Sequence, residues 1–238
     1  MNYETCLTKS AAKVIKFSLL ESKNTYKKHY PQANCYLCNT KKNETLLRRQ
    51  VKANLPTKWG NFNIFAYSEQ HDNQQPHIAL VHIDADVTGV VPVRIHSECI
   101  TGDLFGSRRC DCGEQFEASM NIIQASRGVM IYLRQEGRGI GLINKLEAYN
   151  LQDVGYDTIE ANVHLGFEPD ERDFNIAIDI LDDLNIKQIE LITNNPEKIS
   201  AIDHSKIKLV KRIPLIIPSK RENEQYLKVK QDIMGHLL

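Results

Sequence analysis

From residue 128 onward, short apolar runs alternate with amphipathic stretches, and this alternation constrains the fold of the 238-residue chain more than any other feature. Residues 128–133 form a continuous apolar run of strand length. Phe174, Ala177, Ile178, Leu181 and Leu184 recur at helical spacing over residues 173–184, one stripe for burial. Asp173 is a natural N-cap there. Residues 188–192 read as a buried strand, 209–213 as another that Pro214 closes, and 222–238 as helix. Strands alternating with helices in this way predict an α/β (mixed) core.

The chain upstream has a different texture. Residues 63–67, 78–83 and 91–95 are rich in Val, Ile and aromatics and bounded by turn residues, which predicts antiparallel strands. Phe116, Met120 and Ile123 predict a helix over 112–126. Residues 1–45 are polar and Lys-rich, with short amphipathic helices expected near 11–20 and 44–51. No internal repeat is visible. The expectation is a single body, 46–238, preceded by a basic N-terminal extension, 1–45.

Charge and hydropathy exclude several classes. No apolar run approaches the ~20 residues of a membrane helix. The N-terminus lacks the continuous apolar stretch of a secretory signal. A cytoplasmic protein without membrane partners is therefore expected. The 30 Lys and Arg balance 30 Asp and Glu, which argues against a nucleic-acid binder that works by broad phosphate neutralisation. The balance hides an asymmetry. Residues 1–58 hold twelve basic and three acidic residues, net +9, leaving −9 on the rest. Such an arm suits an anionic partner, or else simple solvation or packing on its own acidic body, and this blander reading is the commoner case.

The cysteines narrow the chemistry. Cys99, Cys110 and Cys112 fall within fourteen residues, and without a secretory context such a cluster reads as metal ligands. Three thiols leave the fourth position of a tetrahedral zinc open for water, the pattern of a catalytic site. Three thiolates also leave the cluster at −1, so an acid/base group is expected nearby. The alternatives are that His96 or Asp111 closes a structural site, or that the cysteines are simply buried. Cys35-Tyr36-Leu37-Cys38 is half of a zinc-knuckle pattern or a redox pair, with Cys6 and His29 as distant complements.

Three further clusters carry possible ligand contacts. Arg134-Gln135-Glu136-Gly137-Arg138-Gly139-Ile140-Gly141 lies between an expected strand and an expected helix over 142–149. Its glycines permit close backbone approach, and its arginines suit phosphates. It is not a P-loop, because the Gly-Lys-Ser/Thr ending is absent. Glu168-Pro169-Asp170-Glu171-Arg172-Asp173 reads, by itself, as capping and surface charge. Thr193-Asn194-Asn195-Pro196-Glu197-Lys198 follows a strand, where α/β sheets bind ligands. Local physics thus reaches a zinc hydrolase with a phosphorylated substrate.

Residues 94–113, 134–141, 149–153, 155–158, 162–172 and 193–198 together resemble GTP cyclohydrolase II. The resemblance runs from about Leu55 to the closing Met234-Gly235-His236-Leu237-Leu238 and leaves out 1–45. It implies a zinc-dependent enzyme that opens the imidazole ring of GTP and releases formate and pyrophosphate, the first step of riboflavin synthesis. By the same match one zinc per chain is bound by Cys99, Cys110 and Cys112, and a zinc-activated water attacks C8 of guanine. Arg94, Ile95, His96, Ser97 and Glu98 are implied to contact GTP, as are Gln115, Glu136, Gly137, Arg138, Thr158, Thr193 and Lys198. Glu136 would read the guanine N1–H and amine, and magnesium would bridge the phosphates. Asp170 is implied as acid/base, Arg172 as nucleophile at the α-phosphorus, and a homodimer as the assembly. Tyr149 is a candidate donor to the leaving amine. The rival readings are a same-fold enzyme that stops at the formylamino product and a non-catalytic zinc-stabilised GTP-binding protein.

Overall fold

Seven strands form one mixed sheet in the computed structural model, which describes residues 47–237. The first three make an antiparallel meander. Strand β1 (Arg48–Thr57) turns through Lys58 and Trp59 into β2 (Gly60–Ser68), and β3 (His77–His82) pairs with β2. Residues 44–51 were expected to begin a helix, but from Arg48 they are strand. Nine register pairs with β2 outweigh the periodicity of so short a window. Arg49 and Lys52 lay their cationic ends over the Phe65 ring of the neighbouring strand, 4.9 and 5.5 Å from its centre.

Strand β4 (Val90–Ser97) begins the parallel half. It leads through α1 (Ile100–Asp103) and α2 (Cys112–Ser126) into β5 (Val129–Leu133). A helical crossover returns the chain in the same direction, so β4 runs parallel to β5 and not antiparallel as its composition suggested. A 3₁₀ turn at Glu136–Gly139 precedes α3 (Gly141–Asp153), α4 (Thr158–His164) and α5 (Asn175–Asp183). Strand β6 (Gln188–Ile192), α6 (Pro196–Asp203), β7 (Lys208–Ile213) and α7 (Glu224–Asp232) complete the chain. The order across the sheet is β1-β2-β3-β5-β4-β6-β7, with β5, β4, β6 and β7 parallel.

Strand alternation divides the core between the two faces. Val93, Ile95, Ile131, Leu133, Ile189 and Leu191 bury against Ala177, Ile180 and Leu181 of α5. Phe62 and Met130 face the other way, onto Met120 and Ile123 of α2. Each such aliphatic burial contributes ~1.5–3 kcal/mol. Asp173 accepts the Asn175 N–H at 2.8 Å just ahead of α5, although the N-cap position itself is Phe174. Helix α4 was not anticipated. Its Asp157 and Glu160 form a reciprocal capping box.

The parallel half positions the site. Strands β4, β5 and β6 end side by side at Ser97, Leu133 and Ile192. The loops that follow, starting at Glu98, Arg134 and Thr193, therefore meet at one sheet edge, where α/β sheets form ligand crevices. Among the described residues no helix is long and apolar enough to cross a membrane. The expected helix at 11–20 and the Cys35/Cys38 pair lie outside the described residues.

Candidate active site

The three loops close around a cleft that holds all three cysteines. Cys99 Sγ and Cys110 Sγ are 3.6 Å apart, and the three sulfurs lie within 4.8 Å of one another. Tetrahedral zinc with ~2.3 Å bonds would space its sulfurs by ~3.8 Å, so the donors fit that ion. Two glycines permit the convergence. A Cβ on Gly102 would sit 3.0 Å from Cys110 Sγ, and one on Gly113 only 2.3 Å from the Gly102 carbonyl oxygen.

Neither residue proposed to close a structural site joins the cluster. Asp111 accepts Lys230 Nζ at 2.7 Å on one oxygen and Gln115 Nε2 on the other. His96 Nε2 lies 3.1 Å from both Asp103 oxygens. Hydrogen bonds among the thiols shift their pKa values in opposite directions. Hydrogen bonds from Cys110 and Cys112 hold Cys99 far below the usual thiol range. Cys110 is pushed up to about 11: its bond with Cys112 lowers it, but its bond with Cys99, burial and the Cys99 charge prevail. Binding a metal therefore releases protons.

Beside the thiols stands a second group. Glu136 accepts Ile100 N–H at 2.6 Å on one oxygen, and Gly137 N–H at 2.8 Å and Lys145 Nζ at 2.7 Å on the other. Tyr149 lines the cleft, its hydroxyl 3.4 Å from Thr101 Oγ1 and its ring under the Arg109 guanidinium at 4.9 Å. It is half-buried cleft wall and absent from both core clusters.

A cationic wall completes the cleft. Gly137 and Arg138 both adopt left-handed backbone at φ 62°, which sets Arg138 in the 3₁₀ turn with both terminal nitrogens buried and unpartnered among the described residues. Gly139 packs within 3.0 Å of Glu171 at its missing Cβ, and Glu171 N–H donates to the Arg138 carbonyl. The glycine loop and the 168–173 segment are thereby locked together. Arg172 donates from Nε to both Asp170 oxygens, at 2.8 and 3.1 Å, and faces the cleft. Lys198 Nζ donates to the Ile95 carbonyl at 2.8 Å. Burial, then Arg94, Arg172 and Lys230, push its pKa well down, as expected where cations crowd without an anion.

The cleft gathers most of the expected residues: Arg94, His96, Ser97, Glu98, Gln115, Gly137, Thr158 and Thr193 all line it. Two are placed otherwise. The Ile95 side chain lies in the core behind the sheet, and only its carbonyl turns to the site. Asp170 stands behind Arg172 and does not line the cleft. Arg94 is a strut, donating to the Ile192 carbonyl at 3.0 Å and Gln115 Oε1 at 2.6 Å. Sequence reasoning missed Arg109, Lys145, Asn162, Tyr226, Lys230 and His236. For Lys145 a signal existed: it precedes Tyr149 by one helical turn.

Three histidines make stability pH-dependent. Burial lowers the pKa of His77, with Arg134 adding to it, and of His96. Burial and then Lys230 and Arg172 bring His236 to about 3. Each binds a proton less readily folded than unfolded, so stability is full above about pH 6.5 and declines as pH falls below it. The expected slope is at most ~1.4 kcal/mol per pH unit for each histidine, and less for the partly solvated His77 and His236. Melting temperature should therefore drop from pH 7 to pH 5. An unchanged value over that range would contradict the burial of these rings.

Thiols that could hold a metal ion, a carboxylate, a phenol and cations are gathered in one strand-end cleft of this α/β protein. The family profile of GTP cyclohydrolase II matches residues 48–214, and the chain belongs to that family. The riboflavin biosynthesis protein RibBA of Bacillus cereus (strain G9842) is 46% identical over 225 residues, covering 94% of this chain and 53% of the relative. RibBA of Bacillus subtilis (strain 168) is 50% identical over 197 residues, 82% of this chain and 49% of the relative. The chain thus spans about half the length of the curated relatives it matches. A solved structure of RibBX, a two-domain 3,4-dihydroxy-2-butanone 4-phosphate synthase from A. baumannii, aligns with TM-score 0.41 and 20% identity. That alignment covers 74% of this chain and 42% of the other.

Proposed function

We propose that this chain hydrolyses GTP, opening the imidazole ring at C8 with release of formate and pyrophosphate. The product is 2,5-diamino-6-(5-phosphoribosylamino)pyrimidin-4(3H)-one, the first step of riboflavin biosynthesis. The observation that carries this reading is one cleft shared by three metal-competent thiols and buried, unpartnered Arg138 nitrogens. Family membership supplies the substrate.

Cys99, Cys110 and Cys112 hold the zinc, which supplies Lewis acidity for hydrolysis. Glu136 is fixed by three protein donors, two on Oε1 and one on Oε2, and keeps one acceptor site, on Oε2, for a guanine N–H. Arg138, Arg172 and Lys198 receive the phosphates, and magnesium accompanies them. Residues assigned here all lie at or beyond Arg94, so the body 46–238 carries the activity and the extension 1–45 is not required for it. Free thiols at the centre suit a reducing compartment, the cytoplasm. A homodimer is the assembly that the family resemblance implies.

The direct test is to incubate zinc-loaded protein with GTP and magnesium and to assay formate and pyrophosphate. A formylamino product without formate would mean that the enzyme stops after ring opening. GTP binding without turnover would mean a binding protein. Tyr149 separates the steps further. Its phenol donates a proton to the departing amine as C8 leaves as formate, so Tyr149→Phe should slow formate release by ~10²-fold and accumulate a formamide. Unchanged formate kinetics would reduce Tyr149 to cleft wall.

A further inference from the structure

Lys145 is buried on α3, and its ammonium meets three acceptors from two loops. Nζ donates to Cys99 Sγ at 3.1 Å, Thr101 Oγ1 at 3.0 Å and Glu136 Oε1 at 2.7 Å. An ammonium has three protons, and all three are used. A second link joins the same loops: Ile100 N–H, next to Cys99, donates to Glu136 Oε2 at 2.6 Å.

We propose that Lys145 is a positioning residue that ties the Cys99 thiolate to the Glu136 carboxylate, tuning the metal and setting the base-recognition group against it. The inference rests on the proposed zinc site. Three thiolates give a zinc centre of charge −1, and such a centre is a weak Lewis acid. A cation hydrogen-bonded to one sulfur offsets that charge and withdraws electron density from the thiolate, which leaves the metal more electrophilic. Partners beyond the ligands commonly orient and tune metal sites; here the partner is a lysine on a sulfur. The same ammonium fixes Glu136 Oε1, so metal and carboxylate share one anchor.

Cobalt(II) in place of zinc makes the sulfur visible, because its charge-transfer band reports thiolate donor strength. In Lys145→Met the band should move to lower energy while the ligand-field bands keep tetrahedral intensity. Metal affinity in chelator competition should fall ~10–100-fold. The preference for GTP over inosine triphosphate, which lacks the exocyclic amine, should shrink. Lys145→Arg should restore much of the band energy. Glu136→Gln gives an independent reading if the Met variant fails to fold. It removes the competing carboxylate charge and should move the band to higher energy, although Glu136 is no ligand. A band indifferent to both substitutions, with the GTP preference intact in the Met variant, overturns the coupling while leaving the zinc site standing. Wild-type protein that takes up no cobalt overturns the zinc site itself, and the coupling with it.

Discussion

Cys110→Ser is expected to strip the metal and cut formate release by ~10³-fold or more while the sheet stays folded. Cys110 Sγ sits 3.6 Å from Cys99 Sγ in the thiol cluster. A serine hydroxyl does not ionise near neutral pH and is a poor soft ligand, so the variant is left with two thiolates. Metal Lewis acidity contributes several kcal/mol to such a hydrolysis, and every ~1.4 kcal/mol is tenfold in rate. Folding should survive because both apolar clusters are built without Cys110. The measurements are zinc per chain, formate release and thermal melting. Formate release that persists after zinc is lost would refute the metal's catalytic role. Loss of the fold together with zinc would make the site structural.

Parts of this architecture were legible in the sequence because local and global preferences agree there. Helix α2 and strand β6 fall on the expected residues, Cys112–Ser126 and Gln188–Ile192, since apolar periodicity and burial coincide. The direction of β4 was not legible, because strand composition says nothing of its neighbours. It follows only from the helical crossover. Helix α4 was readable but overlooked: Asp157-x-x-Glu160 is a capping box in plain sequence. In the site, the thiols stood out by their chemistry and spacing. Lys145 and Lys230 did not, since a lysine on a helix is normally solvated. What turns them inward is ion pairing with Glu136, nine residues away, and with Asp111, 119 residues away. Ile95 is the opposite case. The 94–98 run reads as one contact motif, yet strand alternation sends Ile95 to the other face.

Arg172→Lys should lower pyrophosphate release by ~10²-fold or more while zinc content holds. Arginines that stabilise charge in phosphoryl transfer are worth ~10³–10⁵ in rate, and lysine keeps the charge but loses the planar fork. The fork matters here because Arg172 grips both Asp170 oxygens. Burial alone would lower the Arg172 pKa, but the bond to Asp170 raises it above the usual value. Burial alone would raise Asp170, and the same bond holds it low. A guanidinium that keeps its proton is a poor nucleophile, and a carboxylate held low is a poor base to remove that proton. The pair therefore favours an electrostatic role at the α-phosphorus over a covalent phospho-arginine. Pyrophosphate and formate should be assayed separately, since the thiols and Tyr149 are untouched by the substitution. Near-full pyrophosphate release by the lysine variant would defeat both roles. A phosphorus–nitrogen signal from Arg172 in acid-free quenched wild-type protein would instead establish the covalent one.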